Sequence, residues 1–393
     1  MSDPCENAQT TVLVGGTLID GTGLGPVKDS VVVITGAKIA EVGSSKGVQI
    51  PGDARVLDTR GKWILPGFID LHAHLTCPEN AEQQRTHTDS LLTLRALRFM
   101  NQLLRCGVTS VRDVGSPMEP MGALGAARSL GYTDTVRLFS CGPLLTVSGG
   151  HGAGTDGTLE VDGPWAFRRA VRRVYRAGFR YVKLSPTYTR EEVEAALDEA
   201  STLGMSVTVH GGGVSDTTPT SMTRIAVEAG APCIEHLNQM DEEVLDLIAE
   251  RGVHVVPTLA IYRALYEGDF IPRRMIEERN WCLEMHENLF RMARARGILM
   301  GIGVDAVGEF TRQYPDLYFD EMKYHVQLGA TKMEAIVAAT RNGAIILNRG
   351  DLGTLEPNKG ADLQVLGRNP LDSLDALGSP EAVMVEGNMH SFA

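Results

Sequence analysis

Residues 64–75 read ILPGFIDLHAHL, and the character of the sequence changes at this stretch. Before it, residues 10–65 contain short runs rich in Val, Ile and Thr that are broken by Gly, which is typical of strands joined by turns. After it, apolar strand-like runs alternate with amphipathic stretches. That alternation is the pattern of βα units and of a parallel sheet.

Eight strand candidates follow from this point onward. They are residues 68–72, 108–114, 136–141, 181–185, 206–210, 233–237, 253–258 and 298–305. The helix candidates between them carry apolar residues near i, i+3 and i+4, and several end in Gly. One begins at Thr189, an N-cap residue followed by two glutamates. Eight βα units predict an α/β fold, the (β/α)₈ or TIM barrel, over residues 66–351.

The end of the chain returns to strand-like sequence. ADLQVL at 361–366 and AVMVEGNMH at 382–390 resemble residues 10–65 in their short, strand-like apolar runs. We therefore expect residues 1–65 and 352–393 to pair into one small β-sandwich domain beside the barrel.

Composition and charge narrow the class of protein. The chain of 393 residues is 43% hydrophobic and 22% charged, which is ordinary for a globular protein. Its formal net charge of −12 argues against nucleic acid or an anionic membrane as the main partner. No long apolar run and no signal peptide are recognisable, so a cytoplasmic protein without membrane spans is expected. The cysteines lack CxxC spacing, which favours single reduced thiols at Cys5, Cys77, Cys106, Cys141, Cys233 and Cys282.

His72 and His74 end the first strand candidate. In an extended chain, residues two apart share a face and lie roughly 6–7 Å from one another, so both imidazoles can bind one ion. Taken alone, the spacing fits a pair of core or surface histidines equally well. The position at a strand end favours a metal site, because the catalytic groups of a barrel lie at the carboxyl ends of its strands.

Polar groups also mark four other strand candidates, namely Lys183, His210, His236 and Asp305. Each histidine could instead be a hydrogen-bonded core residue, and Asp305 could form a salt bridge or cap a helix. Lys183 stands between apolar neighbours, where an ammonium must find a carboxylate, lose its charge or be chemically modified. Together, histidines and a carboxylate suit zinc and related ions.

The sequence resembles the amidohydrolase superfamily over nearly its whole length. The resemblance rests on PGFIDLHAHL at 66–75, on YVKLS around Lys183, on His210 and His236, and on GIGVDA around Asp305, where Val304 replaces a more usual Thr. Three further motifs are similar to the imidazolonepropionase-like branch, which includes Xaa-Pro dipeptidases and carboxypeptidases. These motifs are GGHG at 149–152, IEHL at 234–237 and VVPTLAIY at 255–262.

The resemblance implies a site with two zinc ions. His72, His74 and Asp305 would hold one ion, and His210 and His236 would hold the other. Carboxylated Lys183 and a hydroxide would bridge the two ions.

The resemblance also implies roles in catalysis. Asp305 would take the proton of the hydroxide and pass it to the leaving amine. His151 would contact the substrate carbonyl or the oxyanion, unless it belongs to a merely flexible Gly-rich loop. Tyr262 would contact a substrate carboxylate, or would only pack.

The expected function is hydrolysis of an amide C–N bond of a small molecule, such as a dipeptide or an N-acyl amino acid. The alternatives are a cyclic-amide hydrolase or deaminase, a biosynthetic lyase or cyclase, and a non-catalytic binding protein. Lys183 argues against the deaminases, which usually lack a bridging lysine, and the complete ligand set argues against a binding protein. The loops between Pro143 and Gly163 and between Tyr262 and Pro272 are expected to set the substrate, and a homo-oligomer is expected.

Overall fold

The structure is a computed structural model that describes residues 10–186, 188–212, 221–238, 240–267 and 283–392. Its strands form an eight-stranded mixed sheet from the two ends of the chain and two parallel sheets, of six and three strands, from the middle. Parts of several predicted features lie outside the described residues: residues 1–9 and 393 of the small domain, Cys5 and Cys282, and residues 268–272 of one loop.

In chain order, the strands are β1 (Thr10–Leu18), β2 (Val27–Thr35), β3 (Lys38–Ser44), β4 (Arg55–Asp58), β5 (Trp63–Pro66), β6 (Phe68–Ala73), β7 (Val108–Asp113), β8 (Arg137–Ser140), β9 (Leu144–Thr146), β10 (Thr158–Glu160), β11 (Tyr181–Leu184), β12 (Ser206–His210), β13 (Cys233–Glu235), β14 (His254–Val256), β15 (Leu363–Leu366), β16 (Ala382–Val385) and β17 (Asn388–Ser391).

The two ends of the chain meet in the mixed sheet. Antiparallel pairing of β5 with β15 sets Leu363 opposite Pro66, and β15 continues to β16 and β17. On the other side, β5 pairs with β1, which also pairs with β2 and β4. Alternating Val, Ile and Leu residues bury one face, with Leu13, Ile34 and Ile64 among its fully buried side chains. Hydrogen bonds join all eight strands into one sheet. The sandwich arrangement expected from the sequence stays a prediction.

The parallel strands carry the site residues. β6, β7 and β8 form the smaller sheet, and β9 to β14 form the larger one in the order β10-β9-β11-β12-β13-β14. The chain passes from one sheet to the other between β8 and β9, where Gly142 takes a left-handed conformation with φ 63°. The first seven strand candidates each contain a strand of these sheets.

The eighth candidate, residues 298–305, is not a regular strand, and only Met300 forms an isolated bridge, with Val255 of β14. Backbone hydrogen bonds nevertheless tie the segment to strands on both sides. They run from Val255 N to Leu299 O (3.0 Å), from Gly301 N to Val255 O (3.0 Å), from Leu71 N to Ile302 O (2.9 Å) and from Asp305 N to His72 O (2.8 Å).

Close packing accompanies this irregularity. A Cβ added at Gly301 would lie 2.3 Å from the Leu71 side chain, and one at Gly303 would lie 2.5 Å from the Val256 side chain. The segment is therefore pressed between β6 and β14, and glycine permits the close approach.

The helices, in chain order, are α1 (Ala81–Thr86), α2 (Asp89–Arg105), α3 (Met118–Ser129), α4 (Pro164–Arg176), α5 (Arg190–Thr202), α6 (Ser221–Glu228), α7 (Glu242–Glu250), α8 (Leu259–Glu267), α9 (Leu283–Ala295), α10 (Asp316–Gln327), α11 (Lys332–Val337) and α12 (Gly343–Ile346). Two 3₁₀ helices (Gly308–Gln313 and Leu374–Ala376) and a π-helical turn (Ala338–Asn342) complete the described elements. The predicted N-cap is confirmed, because Thr189 and Glu192 form a reciprocal capping box at the start of α5.

The described residues bear on the expectations about the cysteines and about membrane-spanning helices. The cysteines in these ranges, Cys77, Cys106, Cys141 and Cys233, are unpaired thiols. Among the helices of the same ranges, none combines the length and the apolar character that a bilayer crossing requires.

Candidate active site

Three predicted ligands converge at one point. His72 lies on β6, His74 follows that strand, and Asp305 ends the irregular segment beside it. The Nε2 atoms of His72 and His74 lie 3.4 and 3.3 Å from Asp305 Oδ1. One donor atom from each of the three residues lies within 4.8 Å of the others, which is the spacing a single metal ion requires.

The second pair of histidines adjoins this cluster. The ring of His236 lies 4.9 Å from that of His72 and 4.4 Å from that of His210. His236 Nε2 is 3.9 Å from Asp305 Oδ2, so the two oxygens of Asp305 face different histidines. Burial lowers the pKa of both His210 and His236 well below the usual value. Both rings are thus neutral, which is the form that binds metal.

The Nδ1 atoms of three histidines bond to the protein, which turns each Nε2 toward the cluster. His72 Nδ1 donates to Glu235 Oε2 (2.7 Å) and His74 Nδ1 donates to Gly115 O (3.1 Å). A hydrogen bond of 2.6 Å joins His236 Nδ1 and Thr258 Oγ1. Such outer contacts fix the ring orientation of metal-binding histidines.

Lys183 lies on β11 with a side chain that is only 2% exposed. Its Nζ has no hydrogen-bond partner among the described residues. Burial lowers the pKa of this amine, although the nearby carboxylates Glu235 and Asp305 oppose the shift. A buried, unpaired amine therefore borders the histidine cluster.

Asp305 owes its position to an unusual backbone. Its φ of 57° is left-handed, and its amide donates to His72 O (2.8 Å). Burial alone would raise the pKa of its carboxyl, but His72, His74 and His236 outweigh burial and hold that pKa well below the usual value. The carboxylate is therefore ionised and faces three imidazoles.

His151 and Tyr262 border the same cluster. The His151 ring lies 4.3 Å from that of His210, and its amide donates to Pro186 O (2.9 Å). The Tyr262 ring meets the His236 ring edge-on at 5.8 Å and stacks on His286 at 4.2 Å. All the residues predicted for the site therefore line one cavity.

A buried network behind His72 was not among the features predicted from the sequence. Glu235 is fully buried, and its Oε1 accepts hydrogen bonds from Arg112 and from Thr208 Oγ1. Burial would raise the pKa of Glu235, but the neighbouring Arg112, Lys183 and His72 outweigh burial and lower it. The available signal was an acid in the apolar run CIEHL, which needs a partner for the same reason as Lys183.

A second missed carboxylate lies beneath the histidine pair. Asp70 Oδ1 accepts from the His72 amide (3.0 Å), and Oδ2 accepts from the Tyr314 hydroxyl (2.6 Å). Burial raises the pKa of Asp70 to about 7. Asp70 therefore anchors the backbone that carries His72.

We expect Glu235→Gln to weaken metal binding by about 10–100-fold, since loss of an outer-shell partner reduces ligand basicity and orientation. Competition with a chromophoric chelator measures the affinity. Glu381→Gln, which breaks the surface ion pair with Lys62, is the matched control. Unchanged affinity in a natively folded Glu235→Gln protein would show that His72 is held without this carboxylate.

The cavity above the cluster has a volume of about 580 Å³, which suits a small molecule. Beyond the predicted site residues, its walls are largely apolar and include Leu144, Ile261, Leu265 and Val307. An apolar cavity with a few convergent polar groups is the usual form of a small-molecule site.

The donor set fits divalent metal ions with nitrogen and oxygen preferences, such as zinc. His72, His74 and Asp305 present converging donor atoms, and the orphaned Lys183 amine borders them. Imidazole and carboxylate ligands with an accessible cavity are the features of a catalytic rather than a purely structural metal site.

Comparison with known proteins agrees with this geometry. A sequence profile described as the amidohydrolase family matches residues 63–389. An ochratoxinase of Aspergillus niger is 25% identical over 429 aligned positions, which cover 96% of this chain and 85% of that protein. An imidazolonepropionase of Nocardia farcinica is 26% identical over 91% of this chain and 92% of its own length.

A solved structure shares the whole architecture. The crystal structure of a Xaa-Pro dipeptidase with bound methionine in the active site has a TM-score of 0.87 and 26% sequence identity to this chain. The match covers 98% of this chain and 100% of the dipeptidase chain. The likeness therefore includes both the parallel strands and the mixed sheet.

Proposed function

The chain belongs to the amidohydrolase family, and we propose that it hydrolyses the amide bond of a small molecule such as a dipeptide or an N-acyl amino acid. The convergence of His72, His74 and Asp305 at the floor of a cavity of about 580 Å³ carries this proposal. Relatives described as an ochratoxinase, an imidazolonepropionase and a Xaa-Pro dipeptidase support a reaction at a C–N bond.

We assign two zinc ions to the site. His72, His74 and Asp305 would hold one, His210 and His236 would hold the other, and a carboxylated Lys183 would bridge them. When bound, the ions supply Lewis acidity toward the scissile carbonyl and lower the pKa of water. The two faces of Asp305, each toward a different histidine, support a shared site.

The environment of Lys183 supports carboxylation. Its lowered pKa favours the neutral amine, whose lone pair can form a bond to the carbon of CO₂ with loss of one proton. Ser185 follows two residues later on the same side of the chain, and its fully buried Oγ also lacks a partner among the described residues. Its hydroxyl can donate to the carbamate that this reaction creates.

Asp305 would transfer a proton during turnover. As an ionised carboxylate beside the histidines, it can accept a proton from the attacking water and deliver it to the leaving amine. His151, whose pKa is lowered by burial, would donate a hydrogen bond to the substrate carbonyl through its ring N–H. Tyr262 would contact the far side of the substrate.

We expect His151→Ala to lower kcat by about 10²–10³-fold, the usual effect of removing one donor to a developing oxyanion. Steady-state kinetics on the best amide substrate measures the loss. His390→Ala is the control, since His390 lies on β17 and pairs with Asp134. If kcat fell less than about threefold, the contact of His151 with the oxyanion would be excluded.

We also propose that the parallel strands close into a (β/α)₈ barrel. The hydrogen bonds of residues 299–305 to β14 and to β6 support closure on one side. On the other side, the short connection from β8, which ends at Ser140, to β9, which begins at Leu144, would bring the two sheets together. The cluster would then lie at the carboxyl ends of the strands, where barrels carry catalysis.

A substrate screen tests the function. Zinc-loaded protein is incubated with N-acyl amino acids, dipeptides and cyclic amides, and amine release is measured. Release from linear amides supports the proposal, whereas turnover confined to cyclic amides, or none of any amide, overturns it. Elemental analysis and ¹³C NMR after exposure to labelled CO₂ test the two ions and the carbamate at Lys183.

A further inference from the structure

Three buried polar atoms that border the cavity lack hydrogen-bond partners among the described residues. They are Lys183 Nζ, Ser185 Oγ and Asn238 Oδ1. Buried polar groups in proteins are nearly always paired, so an unpaired atom at a cavity wall points to a ligand. The proposed carbamate accounts for Lys183 and Ser185, which leaves Asn238.

Two hydroxyl groups in the cavity wall already donate hydrogen bonds within the protein. Thr76 donates to Ser116 Oγ (2.9 Å), and Thr155 donates to Gly152 O (2.8 Å). Asn238 differs from both, because its side chain is only 5% exposed and its amide oxygen bonds to no described residue. Its amide oxygen is therefore an unused acceptor in the cavity wall.

A hydrogen bond anchors the residue that precedes Asn238. Asn238 follows His236 by two residues, and Leu237 O between them accepts a hydrogen bond from His286 Nδ1 (2.8 Å). His286 also stacks on Tyr262 at 4.2 Å, which ties the end of β13 to α8. We call Asn238, Ile261, Tyr262 and Leu265 the β13–α8 wall. Asn238 is an amide acceptor in a wall that is otherwise aliphatic or aromatic.

The wall adjoins the reacting groups. His236 Nε2 faces Asp305 Oδ2 at 3.9 Å, and Asn238 lines the same cavity as both residues. An unpaired amide oxygen in this wall can accept a hydrogen bond from an N–H group of the substrate. A secondary amide offers one, whereas a tertiary amide, such as the bond to a proline nitrogen, does not.

We propose that Asn238 accepts a hydrogen bond from the scissile N–H and thereby selects secondary over tertiary amides. The inference rests on the proposed function and deepens it by naming the substrate class. A tertiary amide would leave the Asn238 oxygen buried and unpaired and would press its extra carbon against the wall. Such a site discriminates strongly, because the penalty falls on the wrong substrate.

The test compares matched substrates and variants. The substrates are N-benzoyl-leucine, its N-methyl analogue and N-benzoyl-proline, and the zinc-loaded proteins are wild type, Asn238→Leu and Asn101→Leu. Asn238→Leu removes the acceptor at similar volume, and Asn101→Leu is an exposed control on α2. The readout is the ratio of kcat/KM for the N–H substrate to that for the N-methyl substrate.

We expect the wild-type and control proteins to prefer the N–H substrate, and Asn238→Leu to reduce this ratio by about 10–100-fold. The loss should fall on the N–H substrate alone, which general damage to the site would not produce. An unchanged ratio in Asn238→Leu overturns the inference. The wild-type comparison needs no variant, so equal or faster cleavage of the N-methyl and proline substrates also overturns it.

The outcomes separate this inference from the proposed function. If both amide classes are cleaved equally, amide hydrolysis is supported and the proposed role of Asn238 is excluded. If no amide is cleaved by metal-loaded protein, the proposed function falls, and the role of Asn238 falls with it.

Discussion

Asp305→Asn is expected to lower kcat by about 10²–10⁴-fold, the range found when a positioned general acid or base is removed. Asparagine tolerates the left-handed backbone that Asp305 adopts at φ 57°, so the substitution should preserve the local fold. What it removes is the ionised carboxylate that faces His72, His74 and His236. Steady-state kinetics with equal metal content, checked by elemental analysis, measures the effect.

Asp134→Asn provides the matched control, because Asp134 is exposed and pairs only with His390 among the described residues. Its kcat should equal that of the wild type. A fall of less than about tenfold in metal-loaded Asp305→Asn would show that the proton travels by another group.

Removal of metal is expected to abolish turnover, with a loss greater than about 10³-fold, because the reaction depends on Lewis acidity that the side chains alone cannot supply. Dialysis against a chelator, followed by addition of zinc, should remove and restore amine release. The metal-free protein should also be less stable, by about 3–4 kcal/mol relative to zinc at 100–1,000 times its Kd. Full activity in protein without detectable metal would exclude the mechanism.

A lysine variant separates one ion from two. Lys183→Met should reduce the zinc content from about two to about one per chain, because the proposed bridge is lost. Lys323→Met is a suitable control, since Lys323 lies on α10 and pairs with exposed acids. Two ions in Lys183→Met would show that the carbamate is not needed to hold the second ion.

The ligand cluster could be anticipated because strand ends are visible in the sequence. His72 and His210 are polar residues at the ends of apolar runs, and parallel strands bring such ends together. Glu235 could be recognised as an acid that needs a partner, but the strand pattern does not predict that this partner is His72. In a regular strand, neighbouring side chains point to opposite faces, so His236 as a ligand would place Glu235 on the other side.

The structure shows how both residues reach the same ring. His236 has a φ of 72°, and this departure from strand geometry allows Glu235 to bond to His72 while the tilted His236 ring lies 4.9 Å from the same ring. A single left-handed residue breaks the alternation on which the sequence argument depends. The irregular backbone of residues 298–305 could not be predicted for a related reason, because it depends on packing between β6 and β14, which are distant in the sequence.

Three residues at the ends of successive βα units, His236, Thr258 and Asp305, have φ values of 72°, 53° and 57°. Each such conformation is unfavourable by about 1–3 kcal/mol, and it is least common for a β-branched residue such as Thr258. Selection for thermal stability alone would therefore favour glycine at these positions, and glycine would remove the side chains that the proposed site needs. Substitutions that raise thermal stability should therefore be sought in the mixed sheet and the outer helices, and these three residues should be left unchanged.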